Sequence, residues 1–242
     1  HGPHKETRAA SHSNHWRSNI LLESGTLSDI DDLLESLKIA GVTLDKNIEN
    51  AFKSVEISDF IEYPSDEFWQ DKPVTFMITN AGAVKNISAP HMIATLLHHL
   101  EIKEGLHFLL MGAKGGYLAA LLDNILGVNG IVTIIEPHNE VLEHTRNTLE
   151  NYESKGIIRV LSSSSMDYFE DYEKPINRVL ITGAVREIPE VLNTILQDSA
   201  FILGPFGGTV QQRLLKREKY GNQWLDTDLG GVVFGPMDAI NS

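Results

Sequence analysis

The stretch FLLMGAKGGY, residues 108–117, joins an apolar run to a glycine-rich turn and the start of a helical pattern. A continuous apolar run of this kind is typical of a strand that is buried on both faces of a parallel sheet. Glycine permits positive φ in the turn, and the free N–H groups at the start of the helix favour a polar or anionic ligand. The stretch therefore predicts a strand–turn–helix unit of a doubly wound α/β sheet, with a nucleotide-like ligand at the turn.

Apolar runs and helical stretches alternate from about residue 101 onward. The runs predicted to form strands are His107–Met111, Ile131–Ile135, Ile157–Leu161, Arg178–Ile181, Ala200–Leu203 and Gly231–Phe234. The stretches with helical periodicity are Tyr117–Leu126, Asn139–Tyr152 and Ile188–Leu196. This alternation predicts a mostly parallel sheet covered by helices on both faces.

An acid follows the second predicted strand, because the run Ile131–Ile135 ends in Glu136. A carboxylate at this place can accept hydrogen bonds from the hydroxyls of a ribose, and it lies about 20 residues after the glycine turn, as in nucleoside sites. The alternative interpretation is that the turn serves only to pack a helix against a strand. The residues alone leave both interpretations open.

Composition limits the class of protein. The chain has 242 residues, 42% of them hydrophobic, a formal net charge of −13 and no cysteine. The length fits one large domain, and the missing cysteine excludes disulfides, thiolate metal sites and a cysteine nucleophile. The negative charge argues against a nucleic-acid partner, and no apolar run approaches the ~20 residues that cross a bilayer. With no recognisable secretory signal, we expect a cytoplasmic protein.

The N-terminal part differs from the rest in charge and pattern. Residues 1–18 are polar and contain four histidines, and this pattern predicts a flexible tail. The alternative interpretation is a histidine metal site. Residues 19–100 predict an acidic helical appendage with a substrate loop. Residues 101–242 predict the α/β domain, which forms one compact unit with residues 19–100.

Two amphipathic helices are readable in this appendage. Ser28 is expected to cap the first helix and Gly41 to end it. Thr43 or Asp45 is expected to open the second, whose inward residues would be Ile48, Ala51 and Phe52. The acid excess of residues 23–72 is interpreted as a solvated face, with docking of a basic partner as the alternative.

The segment NISAPHM, residues 86–92, closely resembles the signature of protein-L-isoaspartate (D-aspartate) O-methyltransferases. The resemblance extends over about residues 19–238. Further matching features are the paired N-terminal helices, the glycine turn, Glu136, Ile188-Pro189-Glu190, Gly204-Pro205-Phe206-Gly207 and Phe234-Gly235-Pro236-Met237.

This resemblance implies a fold, a cofactor and a reaction. The fold would be the Rossmann-like sheet of S-adenosylmethionine-dependent methyltransferases, with seven strands, one of them antiparallel, and an N-terminal helical appendage. The reaction would move a methyl group from S-adenosylmethionine to the α-carboxylate of isoaspartyl residues in damaged proteins. The ester would then collapse to a succinimide that reopens partly to aspartate, which is protein repair. The partners implied are isoaspartyl proteins or peptides, with the enzyme as a monomer and no metal.

The resemblance also assigns residues to roles. Ser88 would be the catalytic residue that donates to the substrate carboxylate, and Ile87, Ala89, Pro90 and His91 would bind the substrate. The cofactor would be held by Gly112, Ala113, Lys114, Gly115, Gly116, Tyr117, Glu136 and Ser163. On the residues alone, Ser88 would simply cap the following helix, with Pro90 in its first turn. A serine here can also do both.

Several positions depart from the family pattern. Leu110 stands where an acid is usual, Lys114 replaces the middle glycine of the turn, and Ser163 lies in a serine run where the adenine-binding acid is expected. Asn177 replaces an aspartate, and Val84-Lys85-Asn86 replaces Gly-Gln-Thr. These changes remove cofactor contacts and add a cation. Two hypotheses follow: an active, divergent methyltransferase, or an inactive homologue that keeps the fold as a protein- or isoaspartyl-binding module.

Overall fold

The structure of the protein is a computed structural model that describes residues 29–164 and 174–237. The predicted tail, its histidines and the Ser28 cap lie outside the described residues. Within the described part, no helix is both long enough and apolar enough to cross a membrane.

A seven-stranded sheet forms the centre of the molecule. Its strands are β3 (His107–Met111), β4 (Ile131–Glu136), β5 (Ile157–Ser162), β6 (Arg178–Ile181), β7 (Phe201–Gly207), β8 (Gln212–Tyr220) and β9 (Gln223–Val232). The order is β5-β4-β3-β6-β7-β8-β9. Strands β3 to β7 pair in parallel, whereas β8 is antiparallel to both of its neighbours. The predicted mostly parallel sheet with one antiparallel strand is confirmed.

The predicted strand at Gly231–Phe234 is the main error along the sheet. The last strand instead covers Gln223–Val232 and forms a hairpin with β8, which the apolar runs did not indicate. The side chains of β8 are half-buried rather than buried through most of its length, so its sequence lacks the continuous apolar run of the central strands.

Helices cover the sheet. They are α1 (residues 29–39), α2 (Lys46–Ser54), α3 (Asp66–Trp69), α4 (Pro90–His99), α5 (Tyr117–Leu126), α6 (Asn139–Glu150) and α7 (Glu190–Ile195). Gly41, at φ +85°, follows the end of α1, and the N–H of Val42 reaches back to the carbonyl of Leu37. This is the C-terminal arrangement that a glycine there predicts. Asp45 is the N-cap residue of α2, whose buried residues are Ile48, Ala51 and Phe52, as predicted.

The N-terminal segment shares its core with the sheet. One cluster of buried apolar side chains includes Leu33 of α1, Phe52 of α2 and Phe108 of β3. The buried His144 of α6 adds a polar link, because its Nε2 lies 2.8 Å from the carbonyl oxygen of Phe60. These contacts fix the position of the segment that follows, which leads to the signature.

A small antiparallel pair, β1 (Val74–Ile78) and β2 (Val84–Ile87), lies between α3 and α4. Strand β2 ends at Ile87, which is fully buried, so the next residues enter α4 at a fixed place. The pair was not predicted, because β2 is exposed at two of its four residues and has no apolar run.

Candidate active site

The glycine turn after β3 has a conformation that its residues explain. Gly112, Gly115 and Gly116 have φ values of +95°, +71° and +96°. A Cβ at Gly112 would lie 2.1 Å from the Oγ1 of Thr182, so no side chain fits there without movement. Lys114 also has a positive φ, +46°, which is unfavourable for a residue with a Cβ.

Glu136, at the end of β4, lies against this turn. It is only 6% exposed. Its Oε1 accepts a hydrogen bond from the N–H of Ala113 at 3.0 Å, and its Oε2 accepts one from the N–H of His138 at 2.8 Å. These two bonds hold the carboxylate in place against the turn.

A small cavity of about 70 Å³ opens between the turn and this acid. The lining residues are Phe76, Lys85, Gly112, Lys114, Glu136, Pro137, Val141, Thr182, Gly183, Pro236 and Met237. Three residues predicted to bind the cofactor, Gly112, Lys114 and Glu136, are thus brought together.

Eight lining residues had no predicted site role, among them Thr182, Gly183, Pro236 and Met237. Thr182 follows β6, the neighbour of β3, and its hydroxyl lies 3.0 Å from the carbonyl oxygens of Met111 and Gly112. The rule that ligands bind at the carboxyl ends of parallel strands points to Thr182 and Gly183. Met237 comes from the far end of the chain and bonds through its N–H to the carbonyl of Ala184 at 3.0 Å. Its motif, Phe234-Gly235-Pro236-Met237, matches the family pattern, but the sequence did not predict its place at the cavity.

The other predicted cofactor residues lie outside the cavity lining. Gly115 packs against the Phe76 ring, and Gly116 packs against Thr148 and Leu149. The side chain of Tyr117 corrects the prediction more strongly. It is buried in the core with its ring 5.7 Å from that of Phe60, and this burial raises the pKa of its hydroxyl.

Ser163 is also absent from the lining of this cavity. It follows β5 and is the last but one residue of the first described range. Its role therefore stays a prediction. Asn177 has a structural contact instead, because its Oδ1 accepts the backbone N–H of His107 at 2.8 Å.

The signature segment joins β2 to α4. Ala89 is the N-cap residue of α4 and provides no side-chain cap, while Pro90 occupies the first turn. Ser88 is half-buried, and within the described residues its hydroxyl makes no hydrogen bond. The alternative that Ser88 caps the helix is therefore wrong. Ile87 and Ala89 are buried and do not line the cavity.

The sequence model of the family described as Protein-L-isoaspartate(D-aspartate) O-methyltransferase (PCMT) matches residues 28–240. The chain belongs to this family. Relatives named Protein-L-isoaspartate O-methyltransferase include one from Methanococcus maripaludis, 28% identical over 216 residues, covering 89% of this chain and 98% of the relative. Another, from Methanococcoides burtonii, is 28% identical over 206 residues, covering 85% and 97%.

Solved structures of the family share the fold. One titled protein-L-isoaspartate O-methyltransferase has a TM-score of 0.73 at 19% identity and covers 87% of this chain and 66% of its own. A putative family member from Plasmodium falciparum, in complex with S-adenosyl-L-homocysteine, has a TM-score of 0.68 at 21% identity, covering 86% and 97%. At these identities the likeness is one of fold.

The cavity of this protein-L-isoaspartate methyltransferase family member contains charges of both signs. Lys85 and Lys114 both line it, whereas Glu136 is the one acid in the lining. Leu110, at the position of the usual acid, is fully buried in β3. A positively charged ligand is therefore less favoured here than in a cavity that has kept the acid and the glycine.

Proposed function

We propose that the protein transfers a methyl group from S-adenosylmethionine to the α-carboxylate of isoaspartyl residues in proteins or peptides. The observation that carries this proposal is the contact of Glu136 with the glycine turn at the cavity. It sets an acid that could accept from ribose hydroxyls beside the glycine turn, in a chain that belongs to this methyltransferase family.

The residues of the cavity fit such a cofactor. Gly112 lines the cavity, and the carboxylate of Glu136 can accept hydrogen bonds from ribose hydroxyls. Phe76, Val141 and Met237 provide apolar walls. When bound, S-adenosylmethionine supplies an electrophilic methyl group.

The reaction requires little of the protein beyond correct placement of the methyl group and the carboxylate. A substrate carboxylate has a pKa near 4 and is ionised at neutral pH, so no general base is needed. Placement of the reacting oxygen and carbon accounts for most of the acceleration in a reaction of this kind. The hydroxyl of Ser88, uncommitted to any other described residue, is available to donate to this carboxylate and orient it.

Calorimetric titration with S-adenosylmethionine and S-adenosylhomocysteine tests the cofactor. Methyl transfer to an isoaspartyl peptide, with the matching aspartyl peptide as control, tests the reaction. We expect binding, transfer to the isoaspartyl peptide alone, and at least tenfold slower transfer in Ser88→Ala. Peptide binding without cofactor binding would instead support the inactive binding module, and unchanged turnover in Ser88→Ala would remove the role of that serine.

The remaining expectations are parts of the same proposal. The protein would act as a monomer in the cytoplasm, with isoaspartyl proteins rather than nucleic acid as partners. The shared core of residues before and after position 100 supports one compact unit. Light scattering tests the monomer, and a single cooperative unfolding transition is expected for the unit.

A further inference from the structure

Asp71 and His91 form a close pair beside the signature segment. Asp71 lies between α3 and β1, and His91 is the second residue of α4. The Oδ1 of Asp71 lies 2.8 Å from the backbone N of His91, and both carboxylate oxygens lie 3.0 Å from its Nδ1. One carboxylate thus holds both the backbone and the ring of a single residue.

These contacts determine the tautomer of the His91 ring. An ionised carboxylate can only accept hydrogen bonds, so Nδ1 carries the hydrogen that points to Asp71. In the neutral ring, Nε2 then has a lone pair. Within the described residues, Nε2 makes no hydrogen bond, and the side chain is 48% exposed. The ring is held at one nitrogen and accessible at the other.

Asp71 also ends α3, independently of His91. Its φ is +57°, and its N–H and that of Lys72 reach back to the carbonyls of Phe68 and Glu67, as in a Schellman C-cap. Capping of α4 explains the bond to the His91 N–H, because Ala89 provides no cap. It does not explain the second and third contacts, which go to the ring.

We infer that Asp71 is a positioning residue that holds His91 with Nε2 presented to the peptide backbone of the substrate. There Nε2 accepts a hydrogen bond from a substrate N–H, three residues along the chain from Ser88. This inference rests on the proposed function, which places the isoaspartyl carboxylate at Ser88.

The variant Asp71→Asn separates the cap from the ring. Its amide oxygen still accepts the His91 N–H, but its NH₂ group can donate to Nδ1 and favour the opposite tautomer, as replacement of the orienting aspartate does in Ser-His-Asp triads. We expect the KM for an isoaspartyl peptide to rise about tenfold, with kcat changed less than threefold and an unchanged Kd for S-adenosylhomocysteine. Nitrogen NMR shifts of the His91 ring should report the change of tautomer.

The double variant Asp71→Asn/His91→Ala decides whether Asp71 acts through the His91 ring or only as a helix cap. Alanine at position 91 removes the ring but keeps the backbone N–H that Asp71 caps. If Asp71 acts through the ring, His91→Ala raises KM by itself, and adding Asp71→Asn raises it no further. An equal additional loss in the His91→Ala background would overturn the inference and leave Asp71 as a helix cap. Thermal unfolding of all four proteins checks that each is folded.

A second aspartate–histidine pair provides a matched control. The Oδ2 of Asp45 lies 2.9 Å from the Nδ1 of His98, at the other end of α4. Asp45→Asn should leave KM within twofold of the parent protein. A tenfold rise there would show that any such pair affects KM through the helix, and would overturn the inference.

Direct binding of the peptide, followed by fluorescence anisotropy, keeps the inference separate from the proposed function. In one outcome, the parent protein binds the peptide but transfers no methyl group, and Asp71→Asn weakens peptide binding only when His91 is present. The inference then stands and the proposed activity fails. If transfer occurs and Asp71→Asn changes neither KM nor peptide affinity, the proposed function stands and the inference fails. A parent protein that neither binds nor methylates the peptide overturns both.

Discussion

The Oε1 of Glu136 accepts the backbone N–H of Ala113 at 3.0 Å, so the acid that ends β4 is bonded to the turn that follows β3. Strands β3 and β4 are parallel neighbours, and the bond lies at their carboxyl ends. The acid therefore holds the turn in shape and, in the proposed function, also accepts hydrogen bonds from the ligand.

Glu136→Gln should weaken both roles. The amide can accept from only one of the two N–H groups that the carboxylate now serves, which leaves a buried donor unpaired at a cost of about 1–3 kcal/mol. We expect that loss in urea unfolding and at least a tenfold weaker Kd for S-adenosylhomocysteine by calorimetry. Glu140→Gln is the matched control, because its exposed carboxylate also accepts a backbone N–H, that of Asn80. Equal losses in the two variants would contradict the prediction.

Lys114→Gly should improve binding of a cationic cofactor. It removes a positive charge from the cavity lining and relieves a left-handed backbone that disfavours a Cβ. We expect a lower Kd for S-adenosylmethionine, and a smaller gain for the uncharged thioether S-adenosylhomocysteine. Lys114→Asn is the companion variant, since asparagine tolerates positive φ better than most residues and carries no charge. If the two ligands gain equally, charge is not the cause.

Gly112→Ala should damage the protein through a clash as well as through its backbone. The new Cβ would lie 2.1 Å from the Thr182 Oγ1, at a φ of +95°. Gly82→Ala isolates the backbone cost, because Gly82 has a φ of +86° and no atom within 4 Å of the added Cβ. We expect about 1 kcal/mol of destabilisation for Gly82→Ala and more than about 2 kcal/mol for Gly112→Ala, with loss of cofactor binding. Similar values for the two would show that the turn moves to accept the methyl group.

His107 should make the protein less stable in mild acid. Its side chain is fully buried in β3, and this burial lowers the pKa of the imidazole below its ordinary value of 6.5. The unfolded chain then binds a proton that the folded chain does not, so stability falls as the pH drops below about 6.5. Chemical unfolding between pH 7 and pH 5 should show this slope, and His107→Gln should reduce it. An unchanged slope in the variant would assign the effect to other groups.

The central strands were predictable from the sequence because a strand buried on both faces has a continuous apolar run. The bounds of β3 and β6 are those expected, and so are those of α5. Strand β8 was missed for a physical reason. Its Lys216 and Arg217 lie 4.5 Å and 4.9 Å from the ring centroids of Phe201 and Phe206, so charged side chains cover aromatic surface and conceal the strand pattern.

The site was predictable only where its parts are close in the chain or follow a known rule. The glycine turn and Glu136 belong to consecutive strands, so their proximity follows from the parallel pattern. Thr182 required the sheet order, which sets β6 beside β3. The place of Met237 at the cavity required tertiary packing, although its motif was noted. The contact of Asp71 with His91 joins the segment after α3 to the start of α4, across β1 and β2.

Met237 has a consequence for the life of the protein in a cell. Its methyl end would lie 3.3 Å from a Cβ at Gly112, and residues 235–237 are bonded to Ala184 beside the cavity. Phe76, the first lining residue in chain order, is therefore synthesised long before Met237, the last. A nascent chain still held on the ribosome, or one clipped by a protease before Gly235, would have the sheet but not the closed wall. Binding of a ligand in this cavity therefore depends on residues 235–237 being present and in place.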